Sequence, residues 1–255
     1  MNITGNTILI TGGGSGIGRG LAEELHKLGN QIIIAGRRKN ALDETTVAHL
    51  GMKSLTLDIE DPVDIRAFAA QAAAEFPTLN VLINNAGIMR PENLLAQQSD
   101  LADSEATITT NLLGPIRLTA ALLPHLQRQP HAAIVNVSSG LAFLPLALTP
   151  TYCATKAAIH SYTQSLRFQL EETGVEVIEL MPPAVKTDMT AELVEGGGSV
   201  ITTDELIKKS FAALKAGKLE IRPGQSNQLA LLRRLAPDFI NKQLWKASKI
   251  LVPAV

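Results

Sequence analysis

The sequence predicts an α/β fold built on a parallel β-sheet. Six short segments rich in Ile, Val and Leu are separated by stretches with helical periodicity. The apolar segments alternate little between polar and apolar residues, which is typical of strands covered on both faces. Strands and helices that alternate along a chain favour a parallel sheet with right-handed crossovers. The six predicted strands are 7–11, 31–36, 53–58, 81–85, 131–138 and 175–181.

Length and composition favour one domain that spans residues 1–255. The chain is 45% hydrophobic and carries a formal net charge of −1. It is long enough to bury a substantial core, and no repeat or linker divides it. Near-neutral charge argues against nucleic acid as a partner, because phosphate binding requires a basic excess. Cys153 is the only cysteine, so no internal disulfide can form, which suits a reducing compartment.

The chain carries no pattern typical of export, membrane insertion or metal binding. Residues 1–12 are interrupted too early by Gly and Asn for a signal peptide. No apolar run approaches the roughly 20 residues that a spanning helix needs. The five histidines show no spacing that suggests a metal site. We therefore expect a cytoplasmic protein with no bound metal, and these patterns do not favour a membrane partner.

The first strand leads into a glycine-rich turn and then a helix. The turn reads TGGGSGIG over 11–18, and the helical pattern of 16–28 ends at Gly29. Glycines let the backbone turn sharply and approach a pyrophosphate, which would lie against the N–H groups opening the helix. The common GxGxxG pattern does not fit, whereas TGxxxGxG does. Alone, this segment could also be a tight turn without a ligand.

A tyrosine and a lysine four residues apart form a candidate proton-transfer pair. On a helix predicted over 151–172, Tyr152 and Lys156 share one face, one turn apart. The reference pKa of a phenol is about 10, and a neighbouring ammonium favours the phenolate and lowers that pKa. Ser139 follows a predicted strand and could hold a carbonyl or alcohol oxygen opposite the phenol. Taken singly, the tyrosine is more often a core or interface residue and the lysine a solvated partner.

Over residues 5–190 the chain resembles the short-chain dehydrogenase/reductase family. The motifs, in family order, are TGGGSGIG at 11–18, LDI at 57–59, NNAG at 84–87, Asn111 in TTNLLGP, NVSS at 136–139 and YCATK at 152–156. The resemblance implies a Rossmann-like, doubly wound parallel sheet of about seven strands with helices on both faces. It also implies an enzyme that transfers hydride to or from NAD(P) and that forms a homodimer or homotetramer.

The same resemblance assigns roles to four catalytic residues. Tyr152 would be the general acid/base, and Ser139, at the family's spacing, would orient the substrate oxygen. Lys156 would lower the pKa of the phenol and hold the nicotinamide ribose, while Asn111 would anchor a water that leads protons toward Lys156. The implied cofactor-binding residues are Gly12, Ser15, Gly16, Ile17, Gly18, Arg37, Arg38, Asp58, Ile59, Asn85, Ala86, Gly87, Tyr152, Lys156, Val185 and Thr187.

Two of these residues also have simpler interpretations. Asn111 could merely bridge backbone groups, and Asp58 could cap the helix that begins near Asp61. Pro183 stands where the family usually has glycine, just before Val185, and it stiffens that loop.

The end of the second strand favours NADP over NAD. NAD is usually held there by an Asp or Glu that accepts from the ribose 2′-hydroxyl, whereas a basic residue accommodates the 2′-phosphate of NADP. Gly36 occupies the usual acidic position, and Arg37 and Arg38 follow it. Two guanidinium groups attract a phosphate. Both could instead be surface residues, and Ser15 is a counter-signal because some NADP-preferring relatives carry a basic residue there.

Beyond residue 190 the resemblance weakens. Residues 191–217 predict a substrate lid, in which a glycine-rich hinge precedes an amphipathic helix over 202–216. The extension 218–255 begins with a predicted last strand over 218–224. A basic amphipathic segment follows over 227–251. We expect it to dock on its own domain or on a sister subunit, and the alternatives are a membrane surface or another partner.

The predicted substrate is an uncharged, fairly hydrophobic ketone or alcohol. The expected lining is apolar and carries no basic cluster: residues 141–148 with Met89, Met189 and Leu193. The leading interpretation is an NADP(H)-dependent carbonyl reductase or alcohol dehydrogenase. The alternative is a protein that binds NADP as a sensor without turnover.

Overall fold

The computed structural model describes residues 1–94, 100–191, 200–235 and 237–248. Its centre is one parallel sheet of seven strands, as predicted. In chain order the strands are β1 Thr7–Thr11, β2 Gln31–Gly36, β3 Lys53–Thr56, β4 Leu79–Asn84, β5 Ala132–Val137, β6 Val175–Leu180 and β7 Glu220–Ile221. Across the sheet the order is β3-β2-β1-β4-β5-β6-β7. The first six predicted strands begin and end within two residues of the observed ones, whereas the last, predicted over 218–224, is shortened to Glu220–Ile221.

Helices cover both faces of this sheet. They are α1 Gly16–Lys27, α2 Lys39–Ala48, α3 Pro62–Glu75, α4 Ala102–Ile108, α5 Gly114–Leu126, α6 Pro150–Gln169, α7 Thr203–Lys215, α8 Gln225–Leu235 and α9 Pro237–Ser248. A π-helical turn, Thr109–Leu113, joins α4 to α5, and two 3-10 turns lie at Gly140–Ala142 and Asp188–Thr190.

Each central strand contributes side chains to two separate cores. In β1, Leu9 packs into a core with α3, α5 and α6, whereas Ile8 and Ile10 pack into a core with α1, α2 and α7. Both faces of the strand are therefore buried, which explains why its sequence is apolar at every central position. The strand order reverses between β1 and β4, and the carboxyl ends diverge there. In open α/β sheets this crevice is where ligands bind.

The segment predicted as a lid is in part a packed helix. Thr202 caps α7, because its side chain accepts from the N–H of Glu205 at 3.2 Å. Helix α7 lies so close to α1 that a Cβ on Gly20 would be 2.5 Å from Thr203. Residues 192–199 lie outside the described residues, so a lid there stays a prediction.

The basic segment predicted over 227–251 forms two helices, α8 and α9, within the described residues. Contacts run from α8 to the Gly140–Ala142 turn, and α9 packs on α8. Among the helices that the structure describes, none is both long and apolar enough to cross a bilayer.

Candidate functional site

One cleft runs along the carboxyl ends of β1, β2, β4, β5 and β6. It brings together most of the predicted site residues: Gly12, Ser15, Gly16, Ile17, Arg37, Arg38, Ile59, Asn85, Ala86, Gly87, Ser139, Tyr152, Lys156, Val185 and Thr187. The predicted residues that do not line it are Gly18, Asp58 and Asn111.

The glycine turn needs glycine for two different reasons. Gly12 and Gly16 have φ values of 66° and 53°, in the left-handed region that favours glycine. Gly18 is required by close approach instead, since a Cβ there would lie 2.3 Å from the carbonyl oxygen of Gly12. Helix α1 can therefore start directly behind the turn, with its first N–H groups toward the cleft.

A threonine at the end of β1 fixes the neighbouring loop after β4. The Thr11 hydroxyl accepts from the N–H groups of Asn85 and Ala86, both at 3.0 Å. The Asn85 side chain donates back to the Thr11 carbonyl at 2.9 Å. These bonds join the two strands on either side of the crevice, so the NNAG segment forms its wall.

The two arginines after β2 have different partners. Arg37 Nη1 donates to Glu60 Oε1 at 2.7 Å, so this guanidinium is already paired. Arg38 Nη2 donates to the Ser15 hydroxyl at 3.0 Å, and none of the ion pairs in the described part of the chain involves it. Arg38 and Ser15 thus form one polar corner of the cleft. Glu60 was not predicted as a site residue.

Asp58 lies beside the cleft rather than in its wall. Its carboxylate accepts from the N–H of Glu60 at 3.0 Å. The proposal that it caps the following helix is wrong: Asp61 is the cap of α3, accepting from the N–H of Val63 at 2.7 Å. The two-residue spacing to that N–H suits Asp61, whereas Asp58 is too far back along the chain. Ile59 supplies the wall at this point.

Three predicted catalytic side chains converge at the inner end of the cleft. Tyr152 and Lys156 lie one turn apart on α6, and both are buried. The Tyr152 phenol is hydrogen-bonded to Ser139, whose hydroxyl also accepts from the N–H of Leu141 at 3.1 Å. The Lys156 ammonium lies 5.6 Å from the centre of the Tyr152 ring. Phenol, hydroxyl and ammonium therefore share one pocket.

Burial dominates the ionisation of this group. It raises the pKa of Tyr152 to about 12, opposed by the hydrogen bond from Ser139. It lowers the pKa of Lys156 to about 8, opposed by the negative charge of Glu179. The expected lowering of the phenol pKa by Lys156 is wrong for this cleft. Desolvation has the largest effect on the phenol pKa, and Lys156 is not among the groups that shift it. The ammonium donates to the Val137 carbonyl at 2.9 Å instead of to the phenol.

Asn111 sits behind the pocket in the π-helical turn. Its Oδ1 accepts from the N–H of Ile88, and its Nδ2 donates to the Ile88 carbonyl, both at 2.8 Å. The structure thus supports the backbone-bridging interpretation. A Cβ on Gly87 would lie 3.2 Å from Asn111 Oδ1 and 3.7 Å from Lys156 Nζ, so both polar groups border the same glycine. The water that Asn111 would anchor stays a prediction. Single π-turns inside helices often mark functional sites.

The loop after β6 closes the cleft opposite the glycine turn. Thr187 begins the Asp188–Thr190 turn, and its methyl group would lie 3.3 Å from a Cβ on Gly16. Val185 pairs with Ile201 in an isolated parallel bridge. Pro183 lines the cleft, so the proline in place of the family's glycine is compatible with the loop reaching this wall.

An apolar cluster borders Tyr152. Leu146, Tyr152 and Cys153 are buried together, with Met89, Leu141 and Leu148 packed against them. Of the expected substrate lining, Met189 lines the cleft, Met89 and residues 141–148 do not, and Leu193 lies outside the described residues. Within the parts of the chain that the structure describes, no three His, Cys, Asp or Glu side chains are grouped to hold a metal.

One residue that contacts the start of α6 was not predicted from the sequence. The Glu92 carboxylate accepts from the N–H and the hydroxyl of Thr151, at 2.9 and 2.7 Å, and from the Ser104 hydroxyl at 3.1 Å. It therefore fixes the first turn of the helix that carries Tyr152. The contact spans 59 residues of sequence, and no local motif announces it.

Comparison with known proteins agrees with this geometry. A family model described as short chain dehydrogenase matches residues 6–197. An uncharacterized oxidoreductase, DltE, from Bacillus subtilis (strain 168) is 43% identical over 224 residues, which cover 87% of this chain and 89% of the relative.

Two solved structures are similar along most of their length. A short chain dehydrogenase from Burkholderia cenocepacia, in complex with NADP, has a TM-score of 0.84 and 26% identity, covering 99% of this chain and 100% of its own. A 3-ketoacyl-(acyl-carrier-protein) reductase from Brucella melitensis, complexed with NADH, has a TM-score of 0.78 and 26% identity, covering 88% and 100%. Because the family model matches three quarters of the sequence, and the relatives share its sheet and its length, the chain belongs to the short chain dehydrogenase family of oxidoreductases.

Proposed function

We propose that this oxidoreductase uses NADP(H) to interconvert a carbonyl and an alcohol on an uncharged, fairly apolar substrate. The observation that carries the proposal is the convergence of Ser139, Tyr152 and Lys156 at the inner end of a cleft that begins at a glycine turn. We further propose that it acts in the cytoplasm as a homodimer or homotetramer. The exposed small residues Ala154, Ala157 and Ser161 on α6 would suit a subunit contact.

The cleft fits a nicotinamide dinucleotide. The glycine turn and the start of α1 would hold the pyrophosphate, and the Asn85–Gly87 wall would face the nicotinamide half. Arg38 and Ser15 would bind a 2′-phosphate, because Arg38 is available for a bidentate contact while Arg37 is paired with Glu60. The solved relatives carry NADP in one case and NADH in the other, so the preference for NADP rests on Arg38.

In the reductive direction each catalytic side chain has a distinct task. The bound cofactor would supply the hydride for the carbonyl carbon. Tyr152 would donate its proton to the carbonyl oxygen, and the raised pKa keeps the phenol protonated at neutral pH for that purpose. Ser139 would hold the same oxygen by a hydrogen bond. The Lys156 ammonium would supply positive charge beside the phenol as the proton leaves.

The substrate end of the cleft supports an apolar substrate. Leu146, Leu141 and Met89 surround the catalytic tyrosine, and Met189 adds a further apolar side chain. Apolar side chains around Tyr152 would gain binding energy from the apolar surface of a substrate, and Lys156 is the one cation that the described residues place at this end of the cleft.

A substrate screen that follows NADPH absorbance over a panel of ketones and aldehydes tests the proposal. We expect Tyr152→Phe to lower kcat by at least about a hundredfold while the Kd for NADPH stays nearly unchanged. Tyr162→Phe is the matched control, because Tyr162 lies on the same helix outside the cleft. Activity retained by Tyr152→Phe would refute the role of the phenol.

The same screen separates an enzyme from a dinucleotide sensor. A sensor would bind NADPH with ordinary affinity and turn over none of the carbonyl compounds. The enzyme is favoured because Tyr152 and Lys156, both with shifted pKa values, share one pocket with Ser139, and such groups are typical of catalytic sites.

A further inference from the structure

A buried carboxylate below the catalytic pocket has no task in the mechanism above. Glu179, in β6, is fully buried. Burying a charged group is costly unless it is paired and hydrogen-bonded. Both of its oxygens are engaged: the Ser138 hydroxyl donates to Oε1 at 2.5 Å, and His160 Nδ1 lies 2.8 Å from Oε2.

The two partners belong to the two elements that carry the catalytic side chains. Ser138 immediately precedes Ser139 at the end of β5. His160 is one helical turn beyond Lys156 on α6, so both project from the same face. One carboxylate therefore ties the strand of the catalytic serine to the helix of the catalytic tyrosine and lysine.

Lys156 also contacts the end of β5 that Glu179 holds through Ser138. Its ammonium donates to the Val137 carbonyl at 2.9 Å, and the adjacent N–H of Ser138 donates to the Leu180 carbonyl at 2.9 Å. The peptide unit between Val137 and Ser138 is thus held by the lysine on one side and by β6 on the other. Glu179, the residue before Leu180 in β6, accepts a hydrogen bond from the side chain of that same serine.

The charges around this carboxylate come from α6 and from the chain around β7. On α6, His160 pairs with Glu179, and its pKa is raised chiefly by that hydrogen bond. Around β7, Glu220 and Arg222 act on His160 with opposite signs, and Arg167 of α6 lies 3.5 Å from Glu220. Glu179 is the charge whose field opposes the effect of burial on Lys156.

We propose that Glu179 is a positioning residue that locks the end of β5 onto α6 through Ser138 and His160 and keeps the Lys156 ammonium charged. The inference rests on the role proposed above for Lys156. If Glu179 only held β5 to α6 and had no electrostatic effect, its substitution would lower stability and leave the pKa of Lys156 unchanged.

Titration of Lys156 in the cofactor-free protein separates these possibilities without an activity assay. Lysine labelled with carbon-13 at Cε reports the ammonium by its chemical shift, and Lys156→Met assigns the signal. We expect a midpoint near the value of about 8 in the unmodified protein. Glu179→Gln should lower that midpoint by about one pH unit, the scale on which a single nearby charge shifts a buried group.

Glu176→Gln is the matched control. Glu176 lies on the same strand, but its side chain is half exposed and pairs with the N-terminal amine. We expect no shift of the Lys156 midpoint in this variant. A folded Glu179→Gln protein whose Lys156 midpoint agrees with the unmodified protein would overturn the proposal.

His160→Gln decides the matter if Glu179→Gln does not fold. It leaves the carboxylate charged but removes the imidazole that shares it, so the field of Glu179 acts on Lys156 with less compensation and the Lys156 midpoint should rise. An unchanged or lower midpoint counts against the proposal. Lack of turnover in the unmodified protein would count against the proposed enzyme alone, because the titration requires no substrate.

As a second readout, the pH dependence of NADPH-driven reduction should follow the titration. Activity that needs the ammonium falls as pH rises through the Lys156 pKa, so Glu179→Gln should move the alkaline limb to lower pH. If Glu179→Gln lowers the rate at every pH but leaves the alkaline limb of the profile in place, Glu179 has only the structural role, and the electrostatic part of the proposal is wrong.

Discussion

The central sheet and the pair of C-terminal helices use their apolar residues in opposite ways. In the sheet, Ile8 and Leu9 face opposite sides and both are fully buried. In α8 and α9, Leu235 is 70% exposed and Phe239 is 62% exposed. Both regions have a regular apolar pattern in the sequence. Such a pattern therefore identifies an apolar face, but the surrounding elements decide whether that face is covered.

The largest expected difference between the regions is in stability. Leu82→Ala in β4 removes a fully buried side chain and should lower the free energy of unfolding by about 2–5 kcal/mol. Leu235→Ala, the same substitution on α8, should change it by less than about 0.5 kcal/mol. Denaturant unfolding of both variants measures this. Similar losses of stability in the two variants would mean that α8 is covered in solution and that the two regions do not differ in burial.

At the carboxyl end of the sheet, the proposed preference for NADPH depends on one charged side chain, that of Arg38. Arg38→Ala should weaken NADPH binding by about 10- to 100-fold, the range for a lost hydrogen bond to a charged group, and leave NADH binding unchanged. Arg37→Ala should have a smaller effect, because Glu60 already pairs with Arg37. Fluorescence titration with both cofactors gives the affinities. Equal losses for NADPH and NADH in Arg38→Ala would contradict the proposed phosphate contact.

The strands of the sheet could be predicted from the sequence for a physical reason. Its strands are buried on both faces, so each appears as a short apolar run, and the glycines of the turn are required by backbone geometry at Gly12, Gly16 and Gly18. Local sequence records such constraints directly. Most of the site residues predicted from these motifs line the cleft, whereas Gly18, Asp58 and Asn111 do not.

The electrostatic partners in the site could not be predicted in this way. Glu60, Glu92 and Glu179 reach their partners across 23, 59 and 19 or more residues, and any carboxylate at the surface would look the same in the sequence. The pKa of Tyr152 was misjudged for a related reason. The spacing places a lysine beside the phenol, but the extent of desolvation depends on the whole fold.

The pair of the buried Glu179 and the partly buried His160 should also make stability depend on pH. The folded state raises the His160 pKa, so the contribution is complete below the unfolded value of about 6.5 and is lost as pH rises through the folded value. The advantage of the unmodified protein over His160→Gln should therefore shrink from pH 6 toward alkaline pH. Melting temperatures measured across that range test this expectation, and a constant difference would show that the pair is not charged in the folded state.

Removal of α9 should have the smallest effect. The described side chains of α9 are exposed, whereas α8 is anchored by Ser226, which is buried where a Cβ on Gly140 would lie 2.9 Å from its hydroxyl. A chain that ends at Leu235 keeps this contact. We expect its NADPH affinity to stay within about twofold of the full chain, since no cofactor contact is removed.

Light scattering and vesicle binding of the same truncated chain test what α9 covers. A smaller assembly would assign α9 to a contact between subunits, and loss of binding to anionic vesicles would assign it to a membrane surface. A large loss of NADPH affinity would show instead that α9 supports the cleft through α8 and the Gly140–Ala142 turn. In that case the exposed pair and the buried sheet would form one cooperative unit, and the distinction between the two regions would fail.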